Sequence, residues 1–180
     1  MRAGAGRVGL ALVVAAVAVS GRAHAVEREN QIGLELGVPM LVVQGKSSNT
    51  LSGGSFGLHY TYGITDAVNL VADGGTSLMP WGATSLSTTS NLDVGVAYVL
   101  DVLRWIPWGA IEAGGYALTG NPVGGTQVLP GFALAVGLDY RFDRSWAAGL
   151  ELRQHMLFTD VSTFPSYTQG LLRVGYTWGW

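Results

Sequence analysis

The sequence predicts an all-β fold: an eight-stranded, antiparallel, up-and-down transmembrane β-barrel. Three observations predict it. First, period-two hydrophobicity recurs along the chain. In SFGLHYTYGI, the bulky apolar set Phe56, Leu58, Tyr60, Tyr62 and Ile64 alternates with Ser55, Gly57, His59, Thr61 and Gly63. That is the pattern of a strand with two unlike faces. Second, charged residues make up only 12% of the chain, about half the usual share in soluble domains. Third, five of the 6 tryptophans (Trp105, Trp108, Trp146, Trp178 and Trp180) fall near one end of the alternating segments. Indole rings favour a bilayer–water boundary.

The first 25 residues read as a cleaved export signal. Arg2 and Arg7 precede an apolar run, VGLALVVAAVAVS, and Ala23-His24-Ala25 follows as a small-x-small cleavage site. The run is shorter than the roughly 20 residues a helix needs to cross a bilayer. Residues 26–180 then form the barrel domain. That part carries seven basic and twelve acidic residues, which argues against nucleic acid as a partner. There is no cysteine, hence no disulfide framework or thiolate metal site. Lys46 is the lone lysine, whereas soluble sheets usually coat an exposed face with charge.

Eight segments alternate. The first, from about residue 31 to 44, sets Ile32, Leu34, Leu36, Val38, Met40 and Val42 on one side, with Pro39 predicting a bulge or a position above the membrane. The second is the stretch quoted above, begun near residue 50. The third, from about 67 to 78, contains Gly74-Gly75, which predicts a bend. The fourth sets Leu92, Val94, Val96, Tyr98 and Leu100 against Asn91, Asp93, Gly95, Ala97 and Val99. The fifth, from about 106 to 118, is rich in Gly and Ala. The sixth opposes Phe132, Leu134, Val136, Leu138, Tyr140 and Phe142 to Ala133, Ala135, Gly137, Asp139 and Arg141. The seventh opposes Leu150, Leu152 and Met156 to Glu151, Arg153 and His155. The eighth opposes Leu172, Val174, Tyr176, Trp178 and Trp180 to Leu171, Arg173, Gly175, Thr177 and Gly179. Connections alternate too. Thr65-Asp66, residues 101–105 and Asp143-Arg144-Ser145 are tight turns, whereas GKSSN, MPWGATSLSTT, TGNPVGG and TDVSTFPS are longer loops.

Orientation follows from the polar face. It is built of small residues plus most of the ionisable ones, and an eight-stranded barrel has an interior just wide enough for packed side chains. The small, charged face therefore points inward and the greasy face toward lipid. The expected lumen network is Glu35, Asp93, Glu112, Asp139, Arg141, Glu151, Arg153 and Arg173, with mixed signs that neutralise one another. The aromatic girdle comprises Trp105, Trp108, Trp146, Trp178 and Trp180 at the tight-turn end, with Trp81, Phe158, Phe164 and Tyr167 available to the other rim.

In its signal peptide, its turns Tyr62-Gly63-Ile64-Thr65-Asp66 and Asp139-Tyr140-Arg141-Phe142-Asp143, and its terminal GYTWGW, the chain resembles the small bacterial outer-membrane β-barrels. It is similar to the transmembrane domain of outer membrane protein A and its eight-stranded relatives. The resemblance implies an outer-membrane location, both termini in the periplasm, and lipid and lipopolysaccharide as surroundings. It also implies a last strand (Val174, Tyr176, Trp178, Trp180) read by the barrel-assembly machinery. No peptidoglycan-binding domain is expected after the barrel.

The expected role is structural or interaction-based and non-enzymatic, in a monomer without cofactor or metal, the lumen plugged by charge. The runner-up is a narrow channel or small-hydrophobe conduit, for which Leu41, Val71, Leu157 and Leu171 are candidate inward apolar residues near the loop end. A lipid-modifying enzyme ranks third, since His155 is followed by Met156-Leu157 and not by a His-x-Ser pattern. A soluble lipocalin-like barrel is the non-membrane alternative.

Overall fold

The computed structural model describes residues 28–43, 49–81, 85–101, 104–120, 125–158 and 166–179. The expected signal peptide and Lys46, Asp160, Phe164 and Trp180 lie outside the described residues. The strands are β1 (Asn30–Val43), β2 (Asn49–Ser52), β3 (Gly54–Gly63), β4 (Val68–Trp81), β5 (Ser85–Val99), β6 (Trp105–Gly120), β7 (Gly125–Arg141), β8 (Trp146–Leu157) and β9 (Ser166–Trp178). They make one antiparallel sheet whose neighbours follow chain order, and β1 pairs with β9 from Asn30↔Trp178 to Val42↔Ser166. The sheet is thereby closed and has no free edge.

β2 and β3 are two lengths of one wall strand, so the barrel has eight. Both pair with β1 in a single register, on which Gly53 falls opposite Pro39. Proline has no N–H to donate there, and the ladder lapses between Gly37↔Ser55 and Met40↔Ser52. The expected bulge at Pro39 does not form: its ring is wholly buried, and pairing with β9 runs through it as Pro39↔Gln169. At Gly74-Gly75 β4 inserts no extra residue and keeps one register with β3 and one with β5.

Two strands begin earlier than the composition predicts. β5 starts at Ser85 and β7 at Gly125, inside segments that read as loops. Ser87 and Thr89 are buried and point inward. A hydroxyl-lined inner wall has the composition of a loop, so hydropathy alone cannot separate the two. Two of the tight turns form as their chemistry requires, and the third, at 101–105, includes residues 102 and 103, which lie outside the described residues. Thr65 Oγ1 accepts from the Val68 amide at 3.1 Å, and Asp143 Oδ1 accepts from the Ser145 and Trp146 amides at 2.7 and 2.9 Å.

The pairings also set the tilt. From Gln31 the partners run through Thr61, Val71, Gly95, Glu112, Ala133, His155 and Tyr167, and the circuit returns to β1 at Leu41, ten residues beyond its start. A stagger of that size on eight strands belongs to steeply tilted strands around a bore that side chains fill.

The two faces separate as the alternation predicts. Leu34, Leu92 and Val128 are 64%, 69% and 71% exposed, and every wall strand presents large apolar side chains outward. Glu35, Asp93, Glu151 and Arg153 are buried inside. A continuous apolar band of this size is far beyond the patches that soluble monomers show.

Candidate functional site: a layered lumen

The inward side chains need room, and glycines supply it. His59 lies opposite Gly33, Trp108 opposite Gly137, Asp139 opposite Gly149, Asp93 opposite Gly114 and Glu112 opposite Gly95. At each of these glycines an added Cβ would collide with that facing residue. The chain's 27 glycines are thus partly seats for specific large side chains.

Depth along the lumen follows from the register. At the tight-turn rim, Arg141 pairs with Asp101 at 3.3 Å and Glu29 at 3.7 Å. Burial pushes the Glu29 carboxyl above its ordinary pKa, with Arg141 opposing. Just inside, the Arg173 guanidinium lies 4.5 Å over the Trp108 ring and reaches Asp139 at 3.6 Å. The middle is a knot around Arg153. Its Nη2 contacts Asp73 Oδ1 at 2.9 Å and Glu35 Oε1 at 3.3 Å, and its Nε contacts Glu151 Oε1 at 2.6 Å. Glu151 also accepts from Arg173 at 3.3 Å, and His59 Nδ1 lies 3.3 Å from Glu35.

Above the knot sits a neutral hydrogen-bonded belt. His155 Nε2 lies 3.0 Å from Gln169 Oε1, and its Nδ1 lies 3.1 Å from the Tyr116 hydroxyl. Gln169 donates in turn to Ser77 at 2.9 Å and to Tyr167 at 2.8 Å, and the Tyr167 ring stacks on His155. At the loop end, Leu41, Val43, Leu51, Met79, Leu118, Leu129 and Leu157 pack together with Tyr116 and Tyr167 into a buried apolar plug. A vestibule of about 880 Å³, its open mouth included, enters from the turn end and reaches Arg153 and Glu112. No residue of the belt or the plug lines it.

Of the expected network residues, the structure brings Glu35, Asp139, Glu151, Arg153 and Arg173 into one chain of ion pairs. Asp93 instead accepts from Asn91 at 2.7 Å, and Glu112 joins no ion pair among the described residues. Arg141 is not part of the network. It ends β7 at the rim, where the wall stops and acids of the turn region meet it. Asp73 was not expected. Its odd parity, shared with Val71 and Ser77, was the available signal, and the adjacent Gly74-Gly75 obscured it.

The girdle needs correction as well. Trp105, Trp146 and Trp178 face outward, but Trp108 points into the lumen beneath Arg173, and Trp180 is outside the described residues. Tyrosines complete the belt: Trp105 packs on Tyr140 at 4.8 Å and Trp146 on Tyr176 at 5.1 Å. Toward the other rim only Phe158 of the described candidates faces out. Trp81 packs on the plug and Tyr167 is buried within it. Leu41 and Leu157 belong to the plug, whereas Val71 lies low in the lumen with Ala97, Ala110 and Ala135, and Leu171 sits at mid-depth opposite Gly37.

The geometry has clear counterparts among solved structures. Ail, the attachment invasion locus protein of Yersinia pestis, is similar at a TM-score of 0.61 and 12% identity, over 85% of this chain and 100% of that one. Neisserial surface protein A matches at 0.60 and 12% identity, over 81% and 95%. The N-terminal β-barrel domain of Pseudomonas aeruginosa OprF matches at 0.57 and 18% identity, over 84% and 98%. The fold is that of the small outer-membrane β-barrels. At these identities the likeness covers the fold and not the activity. No protein-family model matches the sequence, and no curated protein matches it by sequence.

Proposed function

We propose that this chain is an integral outer-membrane barrel, exported with loss of residues 1–25, whose role is structural or interaction-based and not catalytic. One observation carries the reading. The outer wall is apolar around the whole ring, while the bore is filled by an ion-pair knot, a neutral belt and an apolar plug in succession. Such a wall suits lipid and the acyl region of lipopolysaccharide. Filling of this kind suits a monomer that seals its own lumen. A C-terminal strand with Val174, Tyr176 and Trp178 outward suits recognition by the barrel-assembly machinery. His155 is engaged by Tyr116, Gln169 and Tyr167, a setting that holds a ring in place rather than one that activates a nucleophile.

Two measurements test this. In bilayers containing a lipid-soluble quencher, fluorescent probes at Leu134 and Val136 are expected to dim while probes at Ala133 and Ala135 stay bright. The reverse outcome overturns the membrane reading. In planar bilayers the purified barrel is expected to show no steady conductance, and large stable openings overturn the sealed lumen.

A further inference from the structure

The three lumen arginines are all engaged, yet one deep acid is not. Arg153 serves Asp73, Glu35 and Glu151, Arg173 serves Glu151 and Asp139, and Arg141 serves the rim. Glu112 is only 3% exposed, its Oε2 has no hydrogen-bond partner, and it lines the inner end of the vestibule. A buried, unpaired carboxylate facing a cavity is costly unless it takes up a proton or something supplies a positive charge or a donor.

The wall just below Glu112 narrows the choice of donor. Ala110 precedes it on the inward face of β6, and pairs with Ala97 and Ala135; Val71 lies beside Gly95, the residue opposite Glu112. These four residues form one buried apolar cluster, against which Val99 and Trp108 pack. Between rim and acid there is thus an apolar shelf. Among the described residues no three acid or imidazole side chains converge as ligands for a metal ion. A metal ion would also make no use of the shelf.

We infer that the vestibule is a binding site for a short linear alkylammonium ion, entering from the turn end. The ammonium head meets Glu112, and the hydrocarbon tail lies along Val71, Ala97 and Val99, which line the vestibule, toward Trp108. Arg173 on Trp108 shows the same pairing of cation with aromatic and acid, made within the chain. The inference rests on inward orientation of these residues and not on the lumen being sealed, which the conductance measurement reads separately.

The test is titration of the refolded full barrel with n-butylammonium chloride, following backbone amides of Ala97 and Val99 and the Trp108 indole N–H by NMR. Saturable shifts are expected, and Glu112→Gln is expected to weaken the apparent affinity at least about tenfold, as loss of a charged hydrogen bond does. Equal shifts with sodium chloride at the same ionic strength would reduce the effect to screening and overturn the site. Equal shifts with n-butanol, or binding untouched by Glu112→Gln, overturn it too. Should that variant fail to refold, the wild-type chain still decides: affinity must rise from methylammonium to n-butylammonium, and a flat series refutes the shelf.

Discussion

The two halves of the lumen are filled by different kinds of side chain. The turn-end half holds Arg153, Arg173 and their carboxylates beside an open vestibule, while the loop-end half is packed with Leu41, Leu118, Leu129 and Leu157, none of which lines that vestibule. Both halves are made by the same alternating strands. β8 alone contributes Glu151 and Arg153 to one half and Leu157 to the other, with His155 between them. The neutral belt is therefore a boundary: the charged side chains lie below it, and above it nothing needs neutralising. An ion pair holds its geometry through direction and depends on every partner. An apolar plug depends on volume and degrades gradually.

That contrast is open to breaking. The largest effect is expected at Arg153. Arg153→Met leaves Asp73, Glu35 and Glu151 facing one another without their shared cation, and should cost about 3–5 kcal/mol, measured as the shift in urea-induced unfolding of the barrel refolded in lipid vesicles. A loss under about 1 kcal/mol would mean that water reaches the knot and that the two halves do not differ as described. Next comes Leu157→Ala in the plug, expected to cost about 2–5 kcal/mol by transfer and cavity terms. It should leave the vestibule's NMR signals unchanged, because the belt separates the two. Shifts at Ala97 or Val99 in that variant would show that the halves are coupled.

Much of this barrel was legible from alternation alone. Period two identified the outward face strand by strand, since an exposed Leu34 or Leu92 against a buried Glu35 or Asp93 is a binary distinction that hydropathy records directly. What it records poorly is depth. The upper inner wall of β5 (Ser87, Thr89) reads as loop because hydroxyls suit both settings. Trp108 reads as girdle because it lies near the tight-turn end, although three residues from the outward Trp105 on a strand means the opposite face. Parity placed Arg141 inside correctly, but a strand's last residue sits in a mouth, where it meets Glu29 and Asp101 and not the central acids. Which acids meet which arginine depends on the ten-residue stagger, and no local pattern encodes that.

The smallest effects test the glycine seats, and they bring the comparison down to one methyl group. Gly137 faces inward and an added Cβ would run into the Trp108 ring, whereas Gly115 faces outward with nothing within 4 Å of an added Cβ. Both are glycines in mid-strand, so their backbone entropy is alike, and Ala at either site gains the same amount from a stiffer unfolded chain. Any difference between the variants is therefore steric. Gly137→Ala is expected to cost about 1–3 kcal/mol by overpacking, and to disturb the Arg173–Trp108 stack, seen as a shift of the indole N–H. Gly115→Ala is expected to fall within about 0.5 kcal/mol of the parent. Pairing Gly137→Ala with Trp108→Ala should recover most of the loss that the glycine substitution adds, because the colliding ring is gone. If the losses simply add, the seat is not what holds Trp108 inward, and the ring's position must be ascribed to Arg173 alone.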